Sequence, residues 1–236
     1  MSIDDMSKQI EEAVKERPGE NLANLLSSAA VSSIPVIGAA LGSLFSSLSS
    51  EIEVRRILHL FRVIDQEMRT LDESKVDNSF LDSEDFYDLM YKVVDQGRRT
   101  RSQEKRILYA KILRSRVSSA AASTETAEDY LNIVTELTEK EVLIASVLYD
   151  RITNGPEPTG DKKHAWASRE GLEDLYTEGV IPEADYEYVL LRLQRIGLFK
   201  EFTGGLIAYD TQSNPYNMTD TFKELMSSIA SASSHS

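Results

Sequence analysis

The chain has 236 residues, enough for one large domain or two small ones, and 41% of them are apolar. Its net charge of -13 works against broad affinity for phosphate backbones. With no cysteine, disulfides, thiolate nucleophiles and Cys-ligated zinc are excluded, and three histidines (His59, His164, His235) leave little material for a histidine general base.

Residues 3–16 predict a short amphipathic helix, because Ile3, Met6, Ile10 and Val14 fall on one face; Arg17-Pro18-Gly19 ends it. This start is acidic and polar rather than the basic start of a secretory signal, so the expected location is cytoplasmic, with a peripheral membrane location as the alternative. From Asn21 to Ser50 there is no charged residue, although charged residues make up 28% of the chain. Pro35 divides the run into two helices. Gly38 and Gly42 stand one turn apart, a spacing that lets helices approach closely. The run is serine-rich, and three places for it stay open: a buried helical hairpin or oligomer core, membrane association or conditional insertion, or a constitutive transmembrane helix.

Val54, Ile57, Phe61, Ile64, Met68 and Leu71 then step by three and four, as a coiled-coil seam does. One helix is expected from about Val36 to about Glu73. Its seam serves either packing within a bundle or self-association, and Gly38 and Gly42 belong to the same candidate self-association surface. Asp77 to Asp82 reads as a loop. Asp82 or Ser83 caps a helix carrying Phe86, Leu89, Met90, Val93 and Val94, which Gly97 closes. Thr100 and Gln103, at capping-box spacing, open the next helix, with Ile107, Leu108, Ile112, Leu113 and Val117 as its core. Arg98, Arg99, Arg101, Lys105, Arg106, Lys111, Arg114 and Arg116 concentrate base here against the global balance. Either they bridge to the acidic remainder, or Arg98, Arg99, Arg101, Lys105 and Arg106 contact nucleic acid or anionic lipid.

Residues 118–126, SSAAASTET, read as the domain boundary, followed by a short helix from Ala127 to Leu137. Thr138 and Glu141 form a second capping box, opening a helix to about Ile152. His164 to Ala167 reads as a short strand, and Ser168 caps a helix ending at Gly179. Pro182 starts another helix, EADYEYVLLRLQRI, and Gly197 ends it. The stretches LFKEFT and LIAYDT flank Gly204-Gly205, a hairpin signal, and Thr219-Asp220 caps the final helix.

Helix, strand, helix, helix, hairpin, helix is the order of a winged helix. LLRLQRIGLFKEFTGGLIAYD resembles the third helix and wing of that superfamily, and YNMTDTFKELMSSI resembles its closing strand and helix, over about 138–231. The resemblance implies DNA, RNA or protein as partner. Arg192 and Arg195 are the only bases inside the third helix, and Glu183, Asp185 and Glu187 make its leading end acidic, which favours protein binding or a purely structural use over DNA. The segment FLDSEDFYDLMYKVVDQGRRTRSQEKRILYAKILRSRV is similar to uncharacterised bacterial and phage-type helical proteins. Phe80, Ser83, Glu84 and Phe86 carry one half of that likeness, and Thr100, Arg101, Ser102, Glu104, Lys105 and Arg106 the other. By analogy it implies a place in bacterial or phage defence.

The expected architecture is therefore mostly α. A helical bundle with a long coiled-coil-like helix (1–120), a linker with a short helix (121–137), a winged-helix domain with a small β-hairpin (138–231) and a tail (232–236) follow one another. No phosphate loop, dinucleotide fingerprint, nucleophile elbow or His-Glu-x-x-His motif occurs. The expected function is a non-enzymatic interaction or regulatory protein, without cofactor or metal, that forms a homo-oligomer through its N-terminal helices and binds a protein partner. The alternatives are a winged-helix DNA-binding regulator and a membrane-active effector using residues 22–48.

Overall fold

In the computed structural model, the residues described are 50–118, 123–154, 183–201 and 216–230. The protein is mostly helical. It divides into two compact units, with the boundary between Glu136 and Leu137.

The first unit is built from α1 (Glu51–Arg69), a single 3-10 turn (Glu73–Lys75), α2 (Asn78–Leu81), α3 (Glu84–Arg99), α4 (Gln103–Val117) and α5 (Thr124–Glu136). α1 packs on α3 and α4, and α4 also packs on α3 and α5. α4 is thus the central helix. Leu60, Phe61, Leu89, Val93, Tyr109 and Leu113 are among the residues at the middle of this core.

Helix boundaries follow the local chemistry. Ser50 is extended (φ -145, ψ 147), and its hydroxyl accepts from the Glu53 amide. With Glu51 and Glu53 in the first turn, the positive end of the helix dipole meets negative charge. Of the helix expected over 36–73, the described part starts at Glu51 and ends at Arg69, where the Thr70 amide and hydroxyl close on the Glu67 carbonyl. Residues 77–82 are not a plain loop. Asp77 caps the short α2, which buries Phe80 edge-on against Phe86. Ser83 caps α3 as expected. The cap of α4 is Ser102, whose hydroxyl accepts from the Lys105 amide, and not Thr100, which closes α3.

Two further readings are corrected. Gly97 does not end α3, which runs on to Arg99. It is a contact glycine: a Cβ there would lie 2.5 Å from Leu60 Cδ2. The boundary does not fall in 118–126 either. α5 begins at Thr124 and buries Ala127, Tyr130, Leu131 and Val134 in the first unit, so the expected linker helix is part of the bundle.

The second unit contains α6 (Glu139–Asn154), α7 (Glu183–Arg195), β1 (Phe199–Glu201), β2 (Tyr216–Met218) and α8 (Asp220–Ala230). The Thr138–Glu141 capping box forms in both directions: the Thr138 amide donates to Glu141 Oε2 at 2.7 Å, and the Glu141 amide to Thr138 Oγ1 at 3.2 Å. α7 ends at Gly197, the one positive-φ residue among those described (φ 86). The Leu198 amide reaches back to Leu193 and the Gly197 amide to Gln194, a Schellman closure that needs the left-handed residue. β1 pairs antiparallel with β2, Phe199 opposite Met218 and Glu201 opposite Tyr216. Thr219 caps α8 and donates its hydroxyl to the Gly197 carbonyl at 2.7 Å, tying the helix start to the end of α7. Phe199 and Tyr149 both meet Phe222 at the centre of this core.

The helix expected over 3–16, the charge-free run with Gly38 and Gly42, and His164 and His235 lie outside the described residues. So do the strand and helix expected over 164–179 and the Gly204-Gly205 turn with LIAYDT. Among the described residues, no helix is long and apolar enough to cross a membrane.

Candidate functional site

The α1 seam is the first candidate. Ile57, Phe61 and Ile64 have no exposed surface and Val54 almost none, within a single chain. Leu58, Leu60 and Val63 are buried beside them. This is a broad face wedged against α3 and α4, not the narrow stripe of a two-helix seam. Side chains with no exposed surface have none to offer a second copy, so Val54, Ile57, Phe61 and Ile64 are corrected from a self-association seam to the core of one bundle. Met68 and Leu71 are half-buried at its end.

The basic segment at the α3–α4 corner is the second candidate. Arg98 donates to Asp95 at 2.9 Å and reaches Glu53 of α1 at 3.5 Å. Arg99 pairs with the other oxygen of Asp95 at 3.0 Å while staying largely exposed. Arg56 of α1 donates to the carbonyls of Arg98 and Arg99, both at 3.2 Å, and so caps the end of α3. Lys105 donates to the Thr135 carbonyl in the last turn of α5 at 2.8 Å. Arg106 is only 4% exposed; it donates to Thr100 O at 2.9 Å and to His59 Nδ1 at 3.2 Å. Arg116 pairs with Asp77 at 3.3 Å and lies 3.7 Å above the Phe80 ring. These cations hold helices together. Of the bases expected to contact nucleic acid or lipid, Arg98, Lys105 and Arg106 serve here as ties within the bundle, and Arg99 and Arg101 hold exposed positions.

His59 is half-buried at this corner. Because its Nδ1 accepts from Arg106, the neutral ring carries its proton on Nε2, an assignment that follows from the hydrogen bond. Burial, then the Arg106 and Arg62 charges, hold its pKa below the ordinary value of 6.5, with Glu104 opposing.

In the second unit, Glu141 of α6 is 2% exposed. Arg192 of α7 donates to its Oε1 at 2.9 Å and to its Oε2 at 3.5 Å. Burial pushes the Glu141 carboxyl up, but the Arg192 hydrogen bond and the Thr138 amide more than offset it, and the carboxyl settles below its ordinary value. Arg192, the expected base-reading residue, is thus turned toward α6 as half of an ion pair. Arg195, one turn on, is exposed.

Ahead of these bases α7 shows a feature that sequence reading passed over. Tyr188 is 63% and Leu191 56% exposed. Val189, Leu190 and Leu193 are buried. At about 100° per residue, the buried trio and the stripe Tyr188, Leu191, Arg195 centre on opposite sides of the helix. The signal was present in YVLLRL: it holds more large apolar residues than one face of a helix can bury. Leu143, also exposed, stands about 200° round α6 from the inward Glu141 and belongs to a different face.

Among the described residues no group of three or more His, Asp or Glu stands together as metal ligands do. No protein-family model, curated protein or solved structure matches the chain.

Proposed function

We propose that the chain is a non-enzymatic interaction and regulatory protein whose second unit is a winged helix used to hold protein, with the outward face of α7 as its contact surface. One observation carries this reading. The helix that would read DNA turns Arg192 inward to Glu141 and leaves Tyr188 and Leu191 exposed. Exposed Tyr and Leu one turn apart suit the apolar centre of a protein interface. Phosphate contacts need clustered free cations, and the bases of the α3–α4 corner are mostly engaged within their own bundle. The winged-helix assignment is supported by the succession of α6, α7, the Gly197 stop, the antiparallel β1–β2 pair and α8.

The test is a titration of labelled duplex DNA with the full chain at physiological salt. The expected result is no binding tighter than the non-specific range of about 10⁻⁴–10⁻⁶ M. Nanomolar binding that is lost in Arg195→Ala would overturn the reading in favour of a DNA-binding regulator.

A further inference from the structure

The chemistry of asparagine singles out one residue of the second unit. An asparagine side-chain amide lies within reach of the backbone nitrogen of the following residue, and attack by that nitrogen on Cγ closes a five-membered ring. A side chain on the following residue hinders the attack, and glycine has none. Asn154 is followed by Gly155, and no other asparagine of the chain precedes a glycine. Structure points the same way. Asn154 is exposed and is the last residue of α6, and helix ends are where local opening is easiest. Asn132 sits in the interior of α5 before the β-branched Ile133, and Asn78 opens α2, where its carbonyl accepts from the Asp82 amide.

We propose that Asn154 is a self-modifying site, converting without an enzyme to aspartate and isoaspartate and thereby loosening the last turn of α6. The backbone nitrogen of Gly155, having lost its proton to solvent, bonds to Cγ of Asn154, and the side-chain nitrogen departs as ammonia. Water then opens the succinimide at either carbonyl. The product carries a carboxylate, on an ordinary backbone or on one that runs through the side-chain carbon. Nothing is oxidised or reduced, and water is the only co-reactant.

The surroundings give the product a consequence. Asn154 Nδ2 donates to Asp150 Oδ1 at 2.8 Å, one turn back. A carboxylate has no donor to replace it. It sets a like charge at i,i+4 from Asp150, at the end of the helix where the dipole already disfavours negative charge. A favourable contact thus becomes an unfavourable one, and the chain gains one negative charge beyond its net -13. The effect stays local, because one turn earlier Leu148 is fully buried and Tyr149 packs on Phe222.

The test is to hold the full chain at neutral pH and physiological temperature for weeks and to map its peptides by mass spectrometry. The expected result is a steady conversion at Asn154, with aspartate and isoaspartate resolved as two products. The rate should rise with pH, and Asn78 and Asn132 should stay intact. Asn154→Gln should not convert, because its longer side chain would have to close a six-membered ring. Asn154→Asp supplies the charge of the product at once, and hydrogen exchange should show lost protection over residues 151–154 with Leu148 still protected. An Asn154 that survives while a short synthetic peptide of residues 151–158 converts would overturn the proposal, since the fold would then be shielding it. So would conversion of Asn78 or Asn132 at the same rate, or unchanged exchange in Asn154→Asp.

Discussion

Arg106 Nε donates to Nδ1 of His59 at 3.2 Å, so a buried cation leans on an imidazole that must stay neutral to receive it. Protonating Nδ1 removes the acceptor and sets a second positive charge beside the first. The groups that bear on His59 are Arg106 and Glu104 from α4 and Arg62 from its own helix; the two arginines outweigh the glutamate.

The sign of the pH dependence follows. The folded pKa of His59 lies below 6.5, so on acidification the unfolded chain takes up the proton first. The stability contributed by neutral His59 is complete above 6.5 and is lost as pH falls through the folded value. Urea midpoints measured across the weakly acidic range should therefore decline, and His59→Gln should flatten that decline. The carboxylates held below their ordinary values, Asp72, Asp77, Glu104 and Glu141, begin to weaken the fold only at lower pH, as it falls through their folded values. An unchanged slope in His59→Gln would remove His59 as the cause.

Arg192→Ala should destabilise the second unit by about 3 kcal/mol, near the lower end for breaking a buried pair, because Arg192 itself is partly exposed. The loss comes from leaving the Glu141 carboxylate buried with only the Thr138 cap. Once Arg192 is gone, burial pushes the Glu141 carboxyl upward, and protonating it relieves the penalty. The difference between wild type and variant should thus be larger at neutral pH than near pH 4. Parallel unfolding curves at both pH values check this, and an equal difference at both would place the cost in lost packing instead.

Sequence periodicity served α3 well and α4 only in part, and the contrast has a physical origin. In α3, Phe86, Leu89, Met90, Val93 and Val94 face the core, and the charges point away from it. In α4, the apolar pattern found Ile112, Leu113 and Val117, which are buried, but it also selected Ile107 and Leu108, which are half-exposed, and it passed over Arg106, Tyr109 and Arg116, which are buried. A central helix packed by α1, α3 and α5 has little surface that faces only water, so its polar residues must enter the core and find partners there. Thr100 O and His59 accept from Arg106, Asp77 accepts from Arg116 Nη1, and Thr135 receives the Tyr109 hydroxyl. Those partners come from other helices, and no local spacing rule points to them. The Thr138–Glu141 box and the Gly197 stop were legible for the opposite reason, since every group involved lies within a few residues. The exposed stripe on α7 was hidden because YVLLRL reads as uniformly apolar until its helix is docked.

Gly97→Ala should destabilise the bundle by about 1 kcal/mol. Alanine gains about 1 kcal/mol in helix propensity over glycine. Against that, its Cβ would press on Leu60 Cδ2, a fully buried side chain, and overpacking costs about 1–3 kcal/mol. The same substitution in a Leu60→Ala background removes the clash and leaves only the propensity gain. Denaturant titrations of the four proteins form a double-mutant cycle, and the coupling should carry most of the effect. Additive behaviour would mean that Leu60 moves aside freely.

Ile57→Asp decides whether α1 is a seam or a core helix. A seam residue changed to Asp gives a folded monomer. Ile57, however, has no exposed surface in a single chain, and the new carboxylate would be buried among Val54, Phe61 and the side chains of α3 and α4. Such a charge costs several kcal/mol after relaxation, a large part of the about 5–15 kcal/mol that holds a domain folded. The expected outcome is an unfolded or aggregated first unit, seen as lost helical dichroism and a missing cooperative transition. The milder Ile57→Ala should stay folded and lose about 2–5 kcal/mol, the range for truncating a buried isoleucine. Its association should match wild type at equal concentration. A well-folded Ile57→Asp protein whose only change is a smaller mass would return α1 to the role of an interface.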